Sequence, residues 1–288
     1  MDYKIAGCVI LYNPKMDTID NILSYVKYIE QLYIVDNSNG DIVCSGFADN
    51  PKVKFIQHKE NMGIAYSFNE VLKDAEGKFE LLLTMDQDSC FFDDSMKTYV
   101  NEIPKFDWSK TLAIGPKIVE PDFCMPTDSK KSSTKWNLAE NMITSGNIIS
   151  VKNALLIGGF DEDIFIDEVD SDFIYKGREA GFNIYTNETG VYLLHSLGNP
   201  SYHMFLGRRT KVQNHNKIRK YYMFRNRFVV LKKHYQIIGA KRAWNYYIKA
   251  NISLIKDVLF FEDDKWNKLK YMATGFIDFI IGRLGKKY

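Results

Sequence analysis

The chain lacks the two best-known phosphate-binding glycine signatures and any long apolar run. Neither G-x-G-x-x-G nor G-x-x-x-x-G-K-[ST] occurs, which argues against a dinucleotide-dependent dehydrogenase and a P-loop NTPase. No uninterrupted apolar stretch reaches the length that a membrane-spanning helix needs. The first twelve residues have neither the basic leader nor the apolar length of a signal peptide. We therefore expect a first β-strand there.

Cysteine is also scarce, and its spacing is uninformative for metal binding. The four cysteines form no C-x-x-C pair, so neither a disulfide framework nor a zinc site is indicated. The pattern is typical of reduced thiols in a cytoplasmic protein. The cysteines are Cys8, Cys44, Cys90 and Cys124.

Positive charge is concentrated in the last third of the chain. The formal net charge is only +2, but the residues from Met204 onward hold 20 Lys and Arg against 5 Asp and Glu. This part alone carries a balance of +15. A basic face of this kind favours an anionic partner, which could be phospholipid, a pyrophosphate-linked lipid or nucleic acid.

Apolar periodicity predicts alternating strands and helices in the first third of the chain. Residues 4–11, 32–35, 53–56 and 81–86 have the length and composition of strands. Amphipathic helical spacing follows the first strand and the third, the latter opening at 61–63. The pattern predicts an α/β fold, with a mostly parallel sheet flanked by helices and a nucleotide site at its carboxyl edge.

Polar residues follow three of these strands, where such a site would lie. Two carboxylates in a D-x-D pattern end the most apolar strand, and hard oxygen ligands at this spacing suit Mg²⁺ and a phosphate-bearing substrate. Asp and Asn are also common in turns, so each residue alone has a structural explanation. The residues are Tyr12 and Asn13, Asp36 and Asn37, and Asp86 and Asp88.

A second acidic stretch occupies 165–173, before a predicted helix that runs to Ala180. Acidic residues are favoured at a helix N-terminus by the helix dipole. Four carboxylates exceed what capping requires, and crowding raises their pKa values, which suits a general base. They belong to Asp167, Glu168, Asp170 and Asp172.

Beyond this stretch, the strand 191–194 delivers His195, which is either structural or a ligand. The polar stretch 121–135 is predicted to be a flexible loop, and from 217 the chain is predicted to be helical. Aromatic residues interleaved with Lys and Arg fit helices at a membrane surface. Helices packed on the sheet with a solvated basic face fit equally well.

Taken in order, these stretches resemble the inverting glycosyltransferases of family 2, closest to bacterial rhamnosyltransferase-like members of surface polysaccharide assembly. The resemblance covers residues 5 to about 230. The matching pieces are 11–14, 34–38, 61–65 with Asn69, 85–89, 145–147, 158–161, 165–167 with 169–170, His195 with Gly198, and 219–227. Three departures are Leu11 where Thr is usual, Lys176 where an Arg often stands, and Glu168 in place of an aromatic residue.

The resemblance implies a GT-A fold, with a catalytic domain at 1–215 and a basic amphipathic helical region at 216–288. It implies a metal-dependent, inverting hexosyltransferase that uses a nucleoside diphosphate sugar, with dTDP-rhamnose as the leading donor. The acceptor would be a lipid-linked glycan. The enzyme would be cytoplasmic and bound to the inner face of the cell membrane, with no nucleic acid partner.

The resemblance also implies residue roles. Asp170 would be the catalytic base, supported by Asp172 and Asp167, and Mg²⁺ or Mn²⁺ would be bound by Asp88, Asp86 and His195. Donor-binding residues would be Tyr12, Asn13, Asp36, Asn37, Asn61, Gly63, Asn69, Asp86, Gln87, Ser145 and Gly146. Contacts to the acceptor or the pyrophosphate would come from Arg208, Arg209, Arg225 and Arg227.

Two other functions remain open from the residues. A sugar-nucleotide nucleotidyltransferase would be expected to have a glycine-rich basic loop after the first strand, where this chain has Tyr12, Asn13 and Pro14. A catalytically idle protein that binds a membrane surface or nucleic acid is the non-enzymatic alternative. The retained Asp88 and Asp170 count against it.

Overall fold

The computed structural model describes residues 3–15, 17–39, 47, 50–92, 94–120, 134–195, 201–205 and 207–288. Its strands are β1 (Ile5–Leu11), β2 (Gln31–Asp36), β3 (Val53–Gln57), β4 (Leu81–Asp86), β5 (Ser89–Phe91), β6 (Thr111–Gly115), β7 (Lys117–Val119), β8 (Lys135–Leu138), β9 (Asn147–Ser150), β10 (Asn183–Thr189), β11 (Tyr192–His195), β12 (Ser201–Phe205) and β13 (Arg208–Val212). The α-helices are α1 (Thr18–Leu23), α2 (Ile64–Ala75), α3 (Ser95–Glu102), α4 (Val151–Leu156), α5 (Val169–Glu179), α6 (Lys217–Lys233), α7 (Tyr235–Arg242), α8 (Lys249–Phe260) and α9 (Lys265–Ile280).

Eight of these strands form one sheet in the order β3-β2-β1-β4-β9-β6-β10-β8. The first four are parallel to one another, and β9 lies antiparallel between β4 and β6. Strands β5, β11 and β7 form a small second sheet, and β12 pairs with β13 in a hairpin. The predicted α/β fold with a mostly parallel sheet is confirmed.

The core lies on both faces of the large sheet, so its central strands are apolar throughout. Alternate residues of β4 enter different clusters: Leu82 packs with Ala6 and Cys8 on the α2 side, and Leu81 and Leu83 pack on the other face. A strand buried on both faces has no polar side to alternate with. This is why 81–85 is apolar apart from Thr84, whose buried hydroxyl donates to the carbonyl of Thr144.

The C-terminal helices form a layer in which α6 and α9 pack along each other. A Cβ atom on Gly275 of α9 would lie 2.7 Å from the carbonyl oxygen of Tyr221, so glycine permits this close crossing. Phe224 of α6, Leu254 of α8 and Met272 of α9 belong to one small hydrophobic cluster within this layer. None of the described helices is both long and apolar enough to cross a membrane.

Some predicted features lie outside the described residues, and one predicted loop boundary is wrong. Residues 121–133 of the predicted loop, together with Cys44, Cys124 and Gly198, lie outside the described residues. Lys135, which was expected to end that loop, instead begins β8, because β8 pairs antiparallel with the exposed edge of β10. Cys8 and Cys90 are free thiols, in agreement with the cysteine spacing.

Candidate functional site

Three adjacent parallel strands end together and bring their polar residues to one edge of the sheet. Leu11 of β1 pairs with Asp36 of β2, and Ile10 pairs with Asp86 of β4. Because β9 is antiparallel to β4, the start of β9 rather than its end lies at this edge. Ser145 and Gly146 therefore lie beside Asp86, whose backbone N–H donates to Oγ of Ser145 at 3.1 Å.

Asp86, Asp88 and His195 form a group whose ligand atoms lie within 4.8 Å of one another. Strand β5 begins at Ser89, directly after the D-x-D pair, and its pairing with β11 sets His195 opposite Ser89. Oγ of Ser89 lies 2.7 Å from Nδ1 of His195, which orients the ring, and Oδ1 of Asp88 lies 3.6 Å from the same nitrogen. Two carboxylates and an imidazole are ligands that suit Mn²⁺ or Mg²⁺, so the donor set fits the predicted divalent ion.

The carboxyl group of Asp86 is less acidic than usual. Burial is the largest cause and raises its pKa to about 6, and the neighbouring Asp88 acts in the same direction. His195 and Arg219 oppose this rise. Two neighbouring carboxyl groups, one of them buried, would be stabilised in their charged forms by a bound cation.

The loop after β1 is tied to the D-x-D turn. Oε1 of Gln87 accepts from the backbone N–H of Tyr12 at 2.8 Å, and Nε2 of Gln87 donates to the Tyr12 carbonyl at 3.1 Å. Asn13 adopts a left-handed φ of 46° and donates its N–H to Oγ of Ser38. Gln87 thus uses its amide to hold this loop, whereas the Tyr12 side chain remains 48% exposed.

The end of β2 and the residues just before α2 form the other side of the candidate site. Asp36 is 7% exposed, and one of its carboxylate oxygens accepts from the N–H of Ser38 at 2.8 Å. Oδ1 of Asn61 accepts from the N–H of Gly63 at 3.0 Å. Gly63 has a φ of 88°, and a Cβ there would lie 2.9 Å from the carbonyl oxygen of Phe165. Glycine is therefore required where this side meets the acidic stretch.

Asn69 takes a position that differs from the predicted donor contact. Its side chain donates to the carbonyl of Phe160 at 2.9 Å and to Glu162 at 2.8 Å, and its oxygen accepts from the N–H of Phe160 at 2.8 Å. Both ends of the amide are used in holding the turn before the acidic stretch. The structure therefore gives Asn69 a packing role within the chain.

The acidic stretch presents Asp170 at the start of α5. Asp167 and Glu168 before it have left-handed φ values of 61° and 65°, a conformation that is costly for residues with a Cβ. Burial raises the pKa of Asp170 to about 7, and Glu168, Asp167 and Asp86 add to the rise. The predicted effect of crowded carboxylates is present at Asp170, although burial is the larger cause.

Helix α6 holds this strained loop. The Arg219 guanidinium donates to Oδ1 of Asp167 at 3.1 and 3.2 Å, and Nδ2 of Asn226 donates to the carbonyls of Ile166 and Asp167. Nε of Arg227 lies 3.5 Å from the Glu168 carboxylate. Arg219 and Ser89 were absent from the predicted site residues, and the sequence signal for Arg219 is its place in the basic stretch 219–227.

Asp172, predicted as a supporting acid, points away from the site. Its side chain is fully buried, with Nζ of Lys233 at 2.6 Å and Nε2 of His234 at 2.9 Å. Burial opposes ionisation, but hydrogen bonds from His234 and Lys233 outweigh it and lower the pKa of this carboxyl. Asp172 therefore fastens α5 to the junction of α6 and α7.

The four predicted arginines do not come together. Arg225 is completely buried, and its guanidinium donates to the carbonyls of Gly285 and Asp163. Arg227 faces Glu168, and the guanidinium of Arg209 stacks over the Tyr202 ring on the β12–β13 hairpin at 4.1 Å. The side chain of Arg208 lies outside the described residues.

Comparison with known proteins gives one family match and several relatives. Residues 16–109 match the family Glycosyl transferase family 2. A dTDP-rhamnosyl transferase, RfbF of Shigella flexneri, is 25% identical over 290 residues, which cover 94% of this chain and 93% of the relative.

Solved structures agree on the fold. S. aureus TarS, residues 1–349, matches with a TM-score of 0.59 and 14% identity over 97% of this chain and 82% of the TarS chain. GalNAc-T7, crystallised with UDP, GalNAc and Mn²⁺, matches with a TM-score of 0.57 and 13% identity over 97% of this chain, which spans 56% of the GalNAc-T7 chain. The chain is thus a glycosyltransferase that carries a family 2 domain on a GT-A fold.

Proposed function

We propose that the chain transfers a sugar from a nucleoside diphosphate donor to an acceptor hydroxyl with inversion at the anomeric carbon. The observation that carries this proposal is the relation between Asp170 and the D-x-D edge. Asp170 starts a helix close enough to Asp86 for the charge of Asp86 to contribute, after burial and the acids of its own stretch, to the raised pKa of Asp170. A base with a pKa of about 7 is poised to take a proton at neutral pH.

The nucleoside would lie against the ends of β1 and β2, and the diphosphate beside β4. Asp36 and Tyr12 would contact the nucleoside, with Asn37, Asn61 and Gly63 shaping the pocket. Asp88, Asp86 and His195 would bind a divalent ion, which supplies charge neutralisation for the leaving diphosphate when bound. Arg219, which pairs with Asp167 and opposes the rise in the pKa of Asp86, would add a positive charge beside these carboxylates.

One displacement accounts for the chemistry. As the acceptor oxygen bonds to the anomeric carbon, its proton passes to a carboxylate oxygen of Asp170. The carbon–oxygen bond to the diphosphate breaks, and its electron pair leaves with the nucleoside diphosphate. The second carboxylate that a retaining glycosidase needs as a nucleophile has no part in this step.

The donor we propose is dTDP-rhamnose, and the acceptor a lipid-linked glycan of a bacterial surface polysaccharide. Support for the donor comes from the RfbF relative, which is a dTDP-rhamnosyl transferase. Support for an acceptor at an anionic membrane comes from the basic C-terminal third. Residues at helical spacing on α9, Trp266, Ala273, Ile277 and Ile280, are all exposed, with Lys270 among them.

The proposal is tested by nucleotide binding and then by the reaction product. Calorimetry with UDP, GDP, dTDP and CMP, each with and without Mn²⁺, is expected to give selective, metal-dependent binding of dTDP. Incubation with dTDP-rhamnose and a lipid-linked glycan is then expected to give an inverted rhamnosyl linkage by NMR. Binding of none of the four nucleotides would refute the transferase proposal.

A further inference from the structure

His58 lies directly after β3 and touches two walls of the proposed donor pocket. Its side chain is only 8% exposed. Its backbone N–H donates to the carbonyl of Asp36 at 3.0 Å, and its ring nitrogen Nδ1 lies 2.7 Å from Oδ1 of Asn37. The other ring nitrogen, Nε2, lies 2.6 Å from a carboxylate oxygen of Glu70 on α2.

The partners of Asn37 fix which way its amide points. Nδ2 of Asn37 lies 3.3 Å from the carbonyl oxygen of Gly63 and 3.1 Å from Oγ of Ser67. A carbonyl oxygen can only accept, so the amide nitrogen must face Gly63 and the amide oxygen must face His58. Nδ1 of His58 is therefore a donor and carries a proton.

The same reasoning applies to the second ring nitrogen. A carboxylate oxygen of Glu70 accepts, so Nε2 must donate and carries a proton as well. Both nitrogens of a neutral imidazole cannot be donors at once. The hydrogen bonds on the two sides of His58 are satisfied together only by the imidazolium.

We propose that His58 is a positioning residue of the donor pocket and acts as an imidazolium that clamps Asn37 to Glu70. This inference rests on the proposed function, because the pocket it orders is the one assigned to the nucleotide. His58 acts through Asn37. The Asn37 amide donates to the carbonyl of Gly63 and so joins the end of β2 to the start of α2. Loss of one proton would leave either Asn37 or Glu70 facing a lone pair.

The charged and titratable neighbours of His58 come from α2, from the end of β2 and from the residues that follow it in the chain. Glu70 and the edge-on ring of Tyr66 face His58 from α2, Asp36 ends β2, and Lys59 and Glu60 follow in the chain. Glu70 favours the charged ring. A neutral ring would lose one of these two hydrogen bonds, so the clamp would open and nucleotide affinity would fall.

The charge is tested directly by NMR on the full chain labelled with ¹³C and ¹⁵N in histidine. Near neutral pH, we expect both ring nitrogens of His58 to show protonated shifts, with the signals assigned by their loss in His58→Gln. A single neutral tautomer would overturn the inference, whatever the nucleotide affinity. This readout does not depend on donor binding.

The positioning role is tested by calorimetry with dTDP and Mn²⁺ near neutral pH. We expect Glu70→Gln, which keeps a hydrogen-bond acceptor but removes the charge, to weaken nucleotide binding about threefold, because the clamp loses its anionic partner. His203→Gln on the β12–β13 hairpin, whose ring contacts Ser201 and Phe261, is the matched control and should follow the wild type. His58→Gln should weaken binding about tenfold near neutral pH.

The outcomes separate the two proposals. Wild-type nucleotide affinity in both His58→Gln and Glu70→Gln would overturn the positioning role while leaving the transferase proposal intact. A wild-type chain that binds none of the nucleotides would refute the transferase proposal, and the pocket role of His58 with it. Melting curves of both variants establish that the folded state is being compared.

Discussion

At the scale of single residues, two carboxylates two positions apart in α5 have opposite environments. Asp170 is held among other acids, and its pKa is raised to about 7, chiefly by burial. Asp172 is buried more deeply, but Lys233 and His234 stabilise its charge and lower its pKa. Proton affinity at this helix start therefore depends on which neighbours each side chain meets, and of these two carboxyl groups Asp170 is the one that fits the proposed base.

Replacement of the proposed base separates catalysis from binding. Asp170→Asn keeps the size of the side chain but cannot accept a proton, so we expect turnover to fall about a hundredfold or more. Affinity for dTDP with Mn²⁺ should change by less than about threefold, because Asp170 is not assigned to the donor. Single-turnover rates near the wild-type value would remove Asp170 from this role.

The pH dependence of the wild-type rate follows from the same carboxyl group. A general base acts in its ionised form, so the rate should rise with pH and level off above about 7. Single-turnover measurements at saturating donor exclude changes in affinity from this profile. A rate that falls over this range would contradict a base role for Asp170.

The metal assignment can be tested without turnover. Asp88→Ala removes one of three proposed ligands, and we expect Mn²⁺-dependent nucleotide affinity to fall at least about tenfold. Asp94→Ala, in an exposed acid nearby in the chain, is the matched control and should leave the Mn²⁺ effect unchanged. An unaltered Mn²⁺ titration in Asp88→Ala would show that the ion binds elsewhere.

At the scale of elements, α6 is the support of the acidic loop. Arg219, Asn226 and Lys233 recur every seven residues on one face, and all three bind the stretch that includes Asp167 and Asp172. This spacing is visible in the sequence and could have indicated a helix face directed at an acidic partner. A basic helix that pairs with the sheet domain is therefore part of the site's scaffold.

The link between α5 and the end of α6 predicts a stability effect. Asp172→Asn leaves Lys233 and buried His234 without their anionic partner, and we expect the free energy of unfolding to fall by about 3 kcal/mol. Asp161→Asn removes a more exposed partner of the same lysine and should cost about 1 kcal/mol or less. Urea unfolding near pH 7 measures both.

The sign of the pH effect follows from the lowered pKa of Asp172. Its charge stabilises the fold above the ordinary pKa of a free Asp, and this contribution is lost as the pH falls through the lower folded-state pKa. The difference between wild type and Asp172→Asn should therefore shrink in acid. A difference that stays constant down to about pH 2 would contradict the ion-pair explanation.

At the scale of the whole molecule, much of the C-terminal positive charge is used internally. Lys220 and Lys268 are buried against Glu262, and Lys233 is bound by Asp161 and Asp172. The excess of +15 therefore overstates the charge available to a membrane. Exposed apolar side chains of α9 are the stronger argument for a lipid partner.

The exposed α9 residues give a prediction for membrane attachment. Ile277→Ser with Ile280→Ser should lower binding to vesicles of phosphatidylglycerol and phosphatidylcholine about tenfold, because apolar area at the interface is lost. Leu138→Ser with Leu156→Ser removes side chains that are 67% and 73% exposed elsewhere, and serves as the control. Equal vesicle binding by both double variants would contradict attachment through α9.

The sequence by itself determined the order of the first four strands of the large sheet, the carboxyl-edge polar residues and the D-x-D pair. Each of these depends on local spacing, since a buried parallel strand is apolar throughout and ends where polar residues begin. Only the tertiary structure decided which predicted residues meet. Asn69, Asp172 and Arg225 make contacts within the protein, with partners that lie 61 to 93 residues away in the chain. Spacing along a sequence can indicate that residues share a helix face, as on α6, but it does not identify the distant side chains that this face meets.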